Sequence, residues 1–403
     1  YLLLSLIVIG VSILIIKYIL NNQLSKGNTD ILFSIAKKSS FLPFRQMYSH
    51  VITSAFTVGF GGSAGLESPI VSTGSAIGSN FARTYKLSYK DRTLLLAAGA
   101  AGGIAGAFNA PIAGVLFALE VILVDISITS FIPLLISAAS GALISKIILH
   151  ESNLLFFKLK QPFDSSNVLF YLLLGVLAGM VSLYYVNVFD KVEPKFHKIK
   201  SRFTKWIIGG ISLAFLFALF PSLFGEGYES IKALSEFRTD DLIKDSLLLK
   251  FIDSKWLLLL FIILTLLFKT IAAAVTLGSG GNGGNFAPSL FVGAYLGFAF
   301  SFFLNLIGFK DIPVSNFTIV AMAGILSGVF HAPLTAIFLI AEITGGYELI
   351  IPLMMVSSIS YVIVKHFHPQ SLDIRRLKDR GTIISENKDT SILSKIDVKE
   401  MIE

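Results

Sequence analysis

Long apolar runs alternate with shorter, glycine-broken ones along this chain. The runs at 1–20, 131–149, 167–187, 203–223 and 255–277 carry few charges. Each approaches the roughly 20 residues that a helix needs to cross a bilayer core. Segments 51–82, 94–123, 286–307 and 316–364 are comparably apolar but interrupted by Gly and Pro. They are too broken for simple spans and too apolar for loops. Lipid offers no hydrogen bonds, so broken backbone at membrane depth persists only when buried in protein or lining a wet cavity. The pattern predicts an all-α polytopic membrane protein whose broken, tilted helices surround a path, not a bundle of passive anchors.

Composition agrees. The 403 residues are 54% hydrophobic and 15% charged, with a mean hydropathy of +0.76, where a soluble domain is about a quarter charged. The net charge of +7 gathers in 26–45, 83–92, 191–205 and 365–380, flanking apolar spans. That placement reads as positive-inside topology, with the lipid bilayer and not nucleic acid as partner. It puts a multi-pass protein in an inner or plasma membrane with the polar tail 379–403 in the cytoplasm, while 226–250 mixes both signs and suits the other face. The chain opens on Tyr1 without Met and reads as a fragment cut at both ends. Its first 20 residues lack the basic start and small-residue cleavage pattern of a signal peptide. No Cys is present, which excludes disulfides and thiolate metal sites. The six His residues show no H-E-x-x-H spacing, so neither a metal, a cofactor nor an enzyme is expected.

The chain repeats itself. Residues 102–120, GGIAGAFNAPIAGVLFALE, match 324–342, GILSGVFHAPLTAIFLIAE; both follow G-x-x-x-G-x-F-x-A-P with a Glu nine residues past the Pro. Residues 61–78, GGSAGLESPIVSTGSAIG, match 280–297, GGNGGNFAPSLFVGAYLG. The similar offsets of the two block pairs point to one duplication, a frequent plan among membrane transporters.

A Gly-rich stretch ending in Pro predicts a loop followed by a helix start, because Pro fits the first turn and lacks the amide that would go unpaired there. Helix N-termini leave amides free and carry positive potential. Two such loops meeting at the bilayer midplane would make an anion site without a buried cation. The G-x-x-x-G pairs after the loops supply close helix packing. Glu67 stands in the first loop, between Leu66 and Ser68, where a lone carboxylate costs several kcal/mol unless partnered. It can occupy the anion site as a tethered mimic of the ion, which would make it a gate and a proton acceptor. Its repeat mate, Phe286, offers an aromatic wall and an amide.

The motifs G-S-A-G-L-E-S-P (62–69), G-A-F-N-A-P (106–111) and G-S-G-G-N-G-G-N-F-A-P (278–288) resemble those of the CLC family of chloride channels and proton-coupled chloride transporters. The resemblance implies two inverted-topology repeats within a pore domain over 1–378, the halves being approximately 1–160 and 161–378. It implies a homodimer with one pore per subunit, a gating glutamate at Glu67 and chloride as the bound substrate. Anion-coordinating amides are implied at Leu66–Glu67 and Asn285–Phe286, with Gly65, Gly284 and Ala287 beside them. The tail 379–403 resembles the linker toward cytoplasmic regulatory domains, which this sequence does not include.

Three departures stand out. The family's first filter motif, usually G-S-G-I-P, falls on S-K-G-N-T (25–29), which puts Lys26, with Ser25 beside it, at the anion-coordinating serine. The central pore tyrosine falls on Leu372, followed by Asp373, which leaves the inner gate without a hydroxyl. The internal proton glutamate falls on Val121, which cannot titrate, while the neighbouring Glu120 and its repeat mate Glu342 read as helix-packing partners. Val121 points to a glutamate-gated passive chloride channel, the alternative being a proton-coupled chloride or fluoride antiporter. A secondary transporter of an organic substrate is a more distant reading and would need a larger polar cavity.

Overall fold

The computed structural model describes residue 10 and residues 27–123, 128–149, 161–309 and 312–379. Short turns aside, its elements are α1 (Gly27–Lys37), α2 (Gln46–Gly59), α3 (Glu67–Thr84), α4 (Tyr89–Phe108), α5 (Pro111–Phe117), α6 (Ile128–Leu149), α7 (Val168–Lys198), α8 (Arg202–Leu219), α9 (Tyr228–Ser235), α10 (Lys255–Ser279), α11 (Phe286–Leu306), α12 (Val314–Phe330), α13 (Pro333–Ile343), α14 (Ile350–Phe367) and α15 (Leu372–Asp379). Among the described residues no strand occurs, and six helical stretches are long and apolar enough to cross a membrane. The run 1–20 lies outside the described residues.

The broken segments break where Gly and Pro predict. Asn109 and His331 end α4 and α12 in the left-handed region, at φ 53° and 57°. Pro111 and Pro333 then start α5 and α13, at the position where a missing amide costs nothing. Segment 286–307 is the exception. It forms one unbroken helix, α11, because Pro288 falls in the first turn and its later glycines serve packing.

That packing is close. A Cβ on Gly74 would stand 2.1 Å from the Gly99 carbonyl oxygen, and one on Gly293 would stand 2.5 Å from Met322 Cα. Glycine alone therefore lets α3 lie on α4 and α11 on α12, backbone against backbone. The same equivalence extends outward. Gly102 packs on Ser137 of α6, and its mate Gly324 on Val356 of α14. The best-enclosed span is α11, while α6 turns Ile132, Ile136, Leu143, Ile144 and Ile147 outward.

The two halves are tied by exchanged caps. Neither Ala110 nor Ala332 can cap the helix it precedes. Instead the Glu342 carboxylate accepts the Ile112 and Ala113 amides of α5 at 3.0 and 2.8 Å. Glu120 accepts the Leu334 and Thr335 amides of α13 at 3.0 and 2.7 Å, and the Thr335 hydroxyl at 2.7 Å. Glu120 lies in the π-helical turn Ala118–Ile122 that continues α5. Each carboxylate thus meets the positive end of the helix from the other half. Glu120→Ala and Glu342→Ala should each destabilise the protein by about 1–2 kcal/mol, the cost of a lost cap. The check is a lowered thermal midpoint in detergent; an unchanged midpoint for both would show that the exchanged caps contribute nothing.

Candidate functional site

The two duplicated loops meet in an isolated antiparallel bridge. The Gly65 amide donates to the Gly284 carbonyl at 2.9 Å, and the Gly284 amide returns the bond at 2.8 Å. Behind the bridge the supports cross over. The Ser63 amide donates to Thr276 Oγ1 at 3.2 Å, while the Asn282 amide donates to Thr57 Oγ1 at 3.0 Å. Asn282 Nδ2 also donates to Thr53 Oγ1 at 2.6 Å and to the His50 carbonyl at 3.3 Å. These bonds aim the N-termini of α3 and α11 at one point, where their first-turn amides have no partner within their own helices.

Glu67 is the first residue of α3 and is 3% exposed. Its carboxylate leaves its own helix and crosses to the other half. Oε2 accepts the Ala287 amide at 3.4 Å, and Oε1 accepts the Tyr228 hydroxyl. It therefore meets the N-terminus of α11 as well as its own amide at the start of α3. Gly65 makes room for this, since a Cβ there would stand 2.1 Å from Glu67 Oε2 and 3.0 Å from the Ala287 nitrogen.

A cavity of about 10 Å³ adjoins the carboxylate, walled by Asn28, Glu67, Ser68, Asn285, Phe286 and Phe330 among others. That is room for about one water-sized occupant. The Phe286 ring meets Phe108, Phe117 and Phe330 at centroid distances of 5.6, 6.4 and 5.5 Å. This gives an apolar wall over polar loop groups. A second cavity of about 180 Å³ shares Asn28, Ser68, Asn285 and Phe330 with the first and adds Gly27, Gly284, Glu193, Asp373 and Arg376.

The predicted residues distribute as follows. Gly65, Leu66, Glu67, Gly284, Asn285, Phe286 and Ala287 converge at the bridge. Ser25 and Lys26 lie outside the described residues. Leu372 is buried in the main hydrophobic cluster and lines neither cavity, whereas Asp373 lines the larger one. The Asp373 carboxylate accepts from Asn28 Nδ2 at 3.3 Å and from Thr29 Oγ1 at 3.4 Å, which ties α15 to the start of α1. Val121 packs at the edge of the core. Sequence reasoning missed Asn28, Tyr228, Glu193 and Arg376. Arg376 donates to Glu193, and Ser68 Oγ donates to Asn28 Oδ1 at 3.2 Å. The one signal for Asn28 was its place inside the divergent filter motif.

Comparison with known proteins fits this geometry. A family model described as voltage gated chloride channel matches residues 6–365. A ClcB-like protein of Ralstonia nicotianae is 30% identical over 84% of this chain and 76% of its own length. An H(+)/Cl(-) exchange transporter, ClcA of Vibrio cholerae, is 30% identical over 74% of this chain, which spans 62% of that protein. The crystal structure of a slow cyanobacterial Cl-/H+ antiporter superposes with a TM-score of 0.79 at 23% identity, covering 94% of this chain and 86% of that one. It attests the fold.

Gly65→Ala places a methyl group against both the carboxylate and the Ala287 amide. Anion flux through reconstituted protein should fall by about tenfold, and adding Glu67→Ala should not restore it. Restoration would mean that the added methyl group acts on the carboxylate alone.

Proposed function

Because the chain belongs to the voltage-gated chloride channel (CLC) family of anion transport proteins, we propose that it exchanges chloride for protons through the site built around Glu67. The observation that carries this reading is the position of that carboxylate on the Ala287 amide, where two helix N-termini from different halves converge. An anion and a carboxylate compete for such a position, since both are stabilised by the same free amides and the same dipoles. When Glu67 takes a proton it no longer competes, and the ion enters; when it loses the proton it returns. One carboxylate thereby couples the two fluxes.

The larger cavity supports exchange further. It holds two more carboxylates, Glu193 and Asp373, and meets the smaller cavity at Asn28, Ser68, Asn285 and Phe330. Protons entering there find titratable groups short of Glu67, although Val121 offers none. The exchangers among the relatives favour this reading over the passive channel that Val121 suggested. The channel remains the second reading, and the apolar packing of Val121 is the observation in its favour. We further propose that a second copy covers the outward apolar faces of α6 and α14, which carry Ile136, Leu143, Ile351 and Met354, and that the tail 379–403 faces the cytoplasm.

Chloride efflux from proteoliposomes, with simultaneous proton recording, tests the function. Proton uptake driven by chloride efflux, lost in Glu67→Ala while chloride still moves, is the outcome expected of an exchanger. Efflux without proton movement would instead establish the channel, and fluoride flux alone would reassign the ion. The dimer is tested by Ile136→Cys in this cysteine-free chain. A cross-linked band is expected in membranes, and a monomeric band under oxidising conditions would count against that interface.

A further inference from the structure

Besides its own backbone amide, the Glu67 carboxylate has two partners of unequal quality. The Ala287 amide is long at 3.4 Å, whereas the Tyr228 hydroxyl donates at close range. Tyr228 lines neither cavity. From this geometry we infer that Tyr228 is a second gating residue: a phenolic latch that holds Glu67 across the anion path. The inference rests on the anion-transport reading above and adds to it a residue that sets how often the gate is open.

The latch is held firmly from behind. Tyr228 is the first residue of α9 and follows Gly227, whose φ of +91° suits glycine. A Cβ on Gly227 would stand 2.4 Å from the Phe291 ring, so the chain passes flush against α11. Lys269, fully buried on α10, donates to the Leu223 and Gly225 carbonyls at 3.2 and 2.9 Å and lies 4.6 Å over the Phe291 ring. From the other half, the Gly61 carbonyl accepts the Gly225 amide at 3.1 Å. The segment 223–228 is therefore pinned to both loop-bearing halves, and the phenol has a fixed origin. Glu226 lies within electrostatic reach of Glu67, Tyr228 and Lys269.

A pinned donor on a carboxylate that moves in the proposed exchange acts as a two-state element. With the hydroxyl bound to Oε1, an incoming anion must break a charge-assisted bond before it can take the Ala287 amide. A bond of that class shifts a two-state equilibrium by roughly tenfold to a hundredfold. Tyr228 does not contact the ion in this closed arrangement, and it acts through Glu67 as a positioning residue.

The test is Tyr228→Phe, which keeps the ring and removes the hydroxyl, in wild-type and Glu67→Ala backgrounds. In the wild-type background chloride efflux from proteoliposomes should rise by about tenfold, and the efflux–pH profile should shift toward higher pH, because the charged carboxylate has lost its donor. Chloride binding to detergent-solubilised protein, measured calorimetrically, should tighten in parallel. In the Glu67→Ala background the hydroxyl has nothing to hold, and Tyr228→Phe should change neither flux nor binding. An equal loss of flux in both backgrounds would assign Tyr228 a purely structural role and overturn the latch. Unchanged flux, binding and pH profile in the wild-type background would overturn it equally. If wild-type protein itself passes neither chloride nor fluoride, the transport reading fails first and the latch falls with it.

Discussion

Two backbone hydrogen bonds between Gly65 and Gly284 set the position of everything chemical in this molecule. They are short-range bonds between residues more than two hundred positions apart, and they join the two loops where the chain has no helical partner for its own amides. Without them the N-termini of α3 and α11 would still carry partial positive charge, but would not share a focus. A single helix N-terminus stabilises a surface anion by about 0.3–1 kcal/mol. Two that point at one desolvated spot act where screening by water is weak, and their effect there is correspondingly greater. The glycines are needed because the bridge leaves no volume for a Cβ: one on Gly284 would come within 2.6 Å of Ser68 Cβ.

The exchanged caps of Glu120 and Glu342 serve the same geometry at a second level. Both carboxylates use both oxygens on amides of the other half. Pulling the halves apart would therefore leave two helix N-termini and two carboxylates without partners at once, in a setting where lipid replaces none of those bonds. The π-helical turn that carries Glu120 widens the helix just where its side chain must turn toward α13. The frame around Glu67 is thus held by contacts that do not involve that residue.

Much of this was legible in sequence because it was duplicated. The Gly and Pro positions of the two blocks located the bridge, the helix starts and the packing stripes; Glu120 and Glu342 were legible as repeat mates read as helix-packing partners, but not as caps on each other's half. What the repeat does not encode was hidden. Tyr228 lies 161 positions from Glu67 and Arg376 lies 183 from Glu193; no periodicity announces such contacts. The register at the inner end was also opaque. Leu372 and Asp373 are adjacent in sequence, yet one turns into the core and the other into the cavity, as neighbours about 100° apart around a helix must. Segment 286–307 was read as broken because its glycines look like interruptions, whereas α12 uses them as a seat.

The distribution of charge explains how such a site can release what it binds. Among the described residues no Lys or Arg lines the small cavity beside Glu67; attraction from these residues comes from amides and dipoles. In the larger cavity Arg376 is held by Glu193, and the buried Lys269 is committed to two carbonyls and an aromatic face. A fixed, desolvated cation at the focus would hold an anion too tightly for turnover, since transport needs binding strong enough to admit an ion and weak enough to let it go. Dipoles give the weaker field, and a tethered carboxylate can then match an ion's affinity for the same spot. In the mechanism proposed here the Glu67 carboxylate and the permeating anion are near equals in that field, so that one proton, or one hydroxyl in reach of Oε1, tips the balance between them.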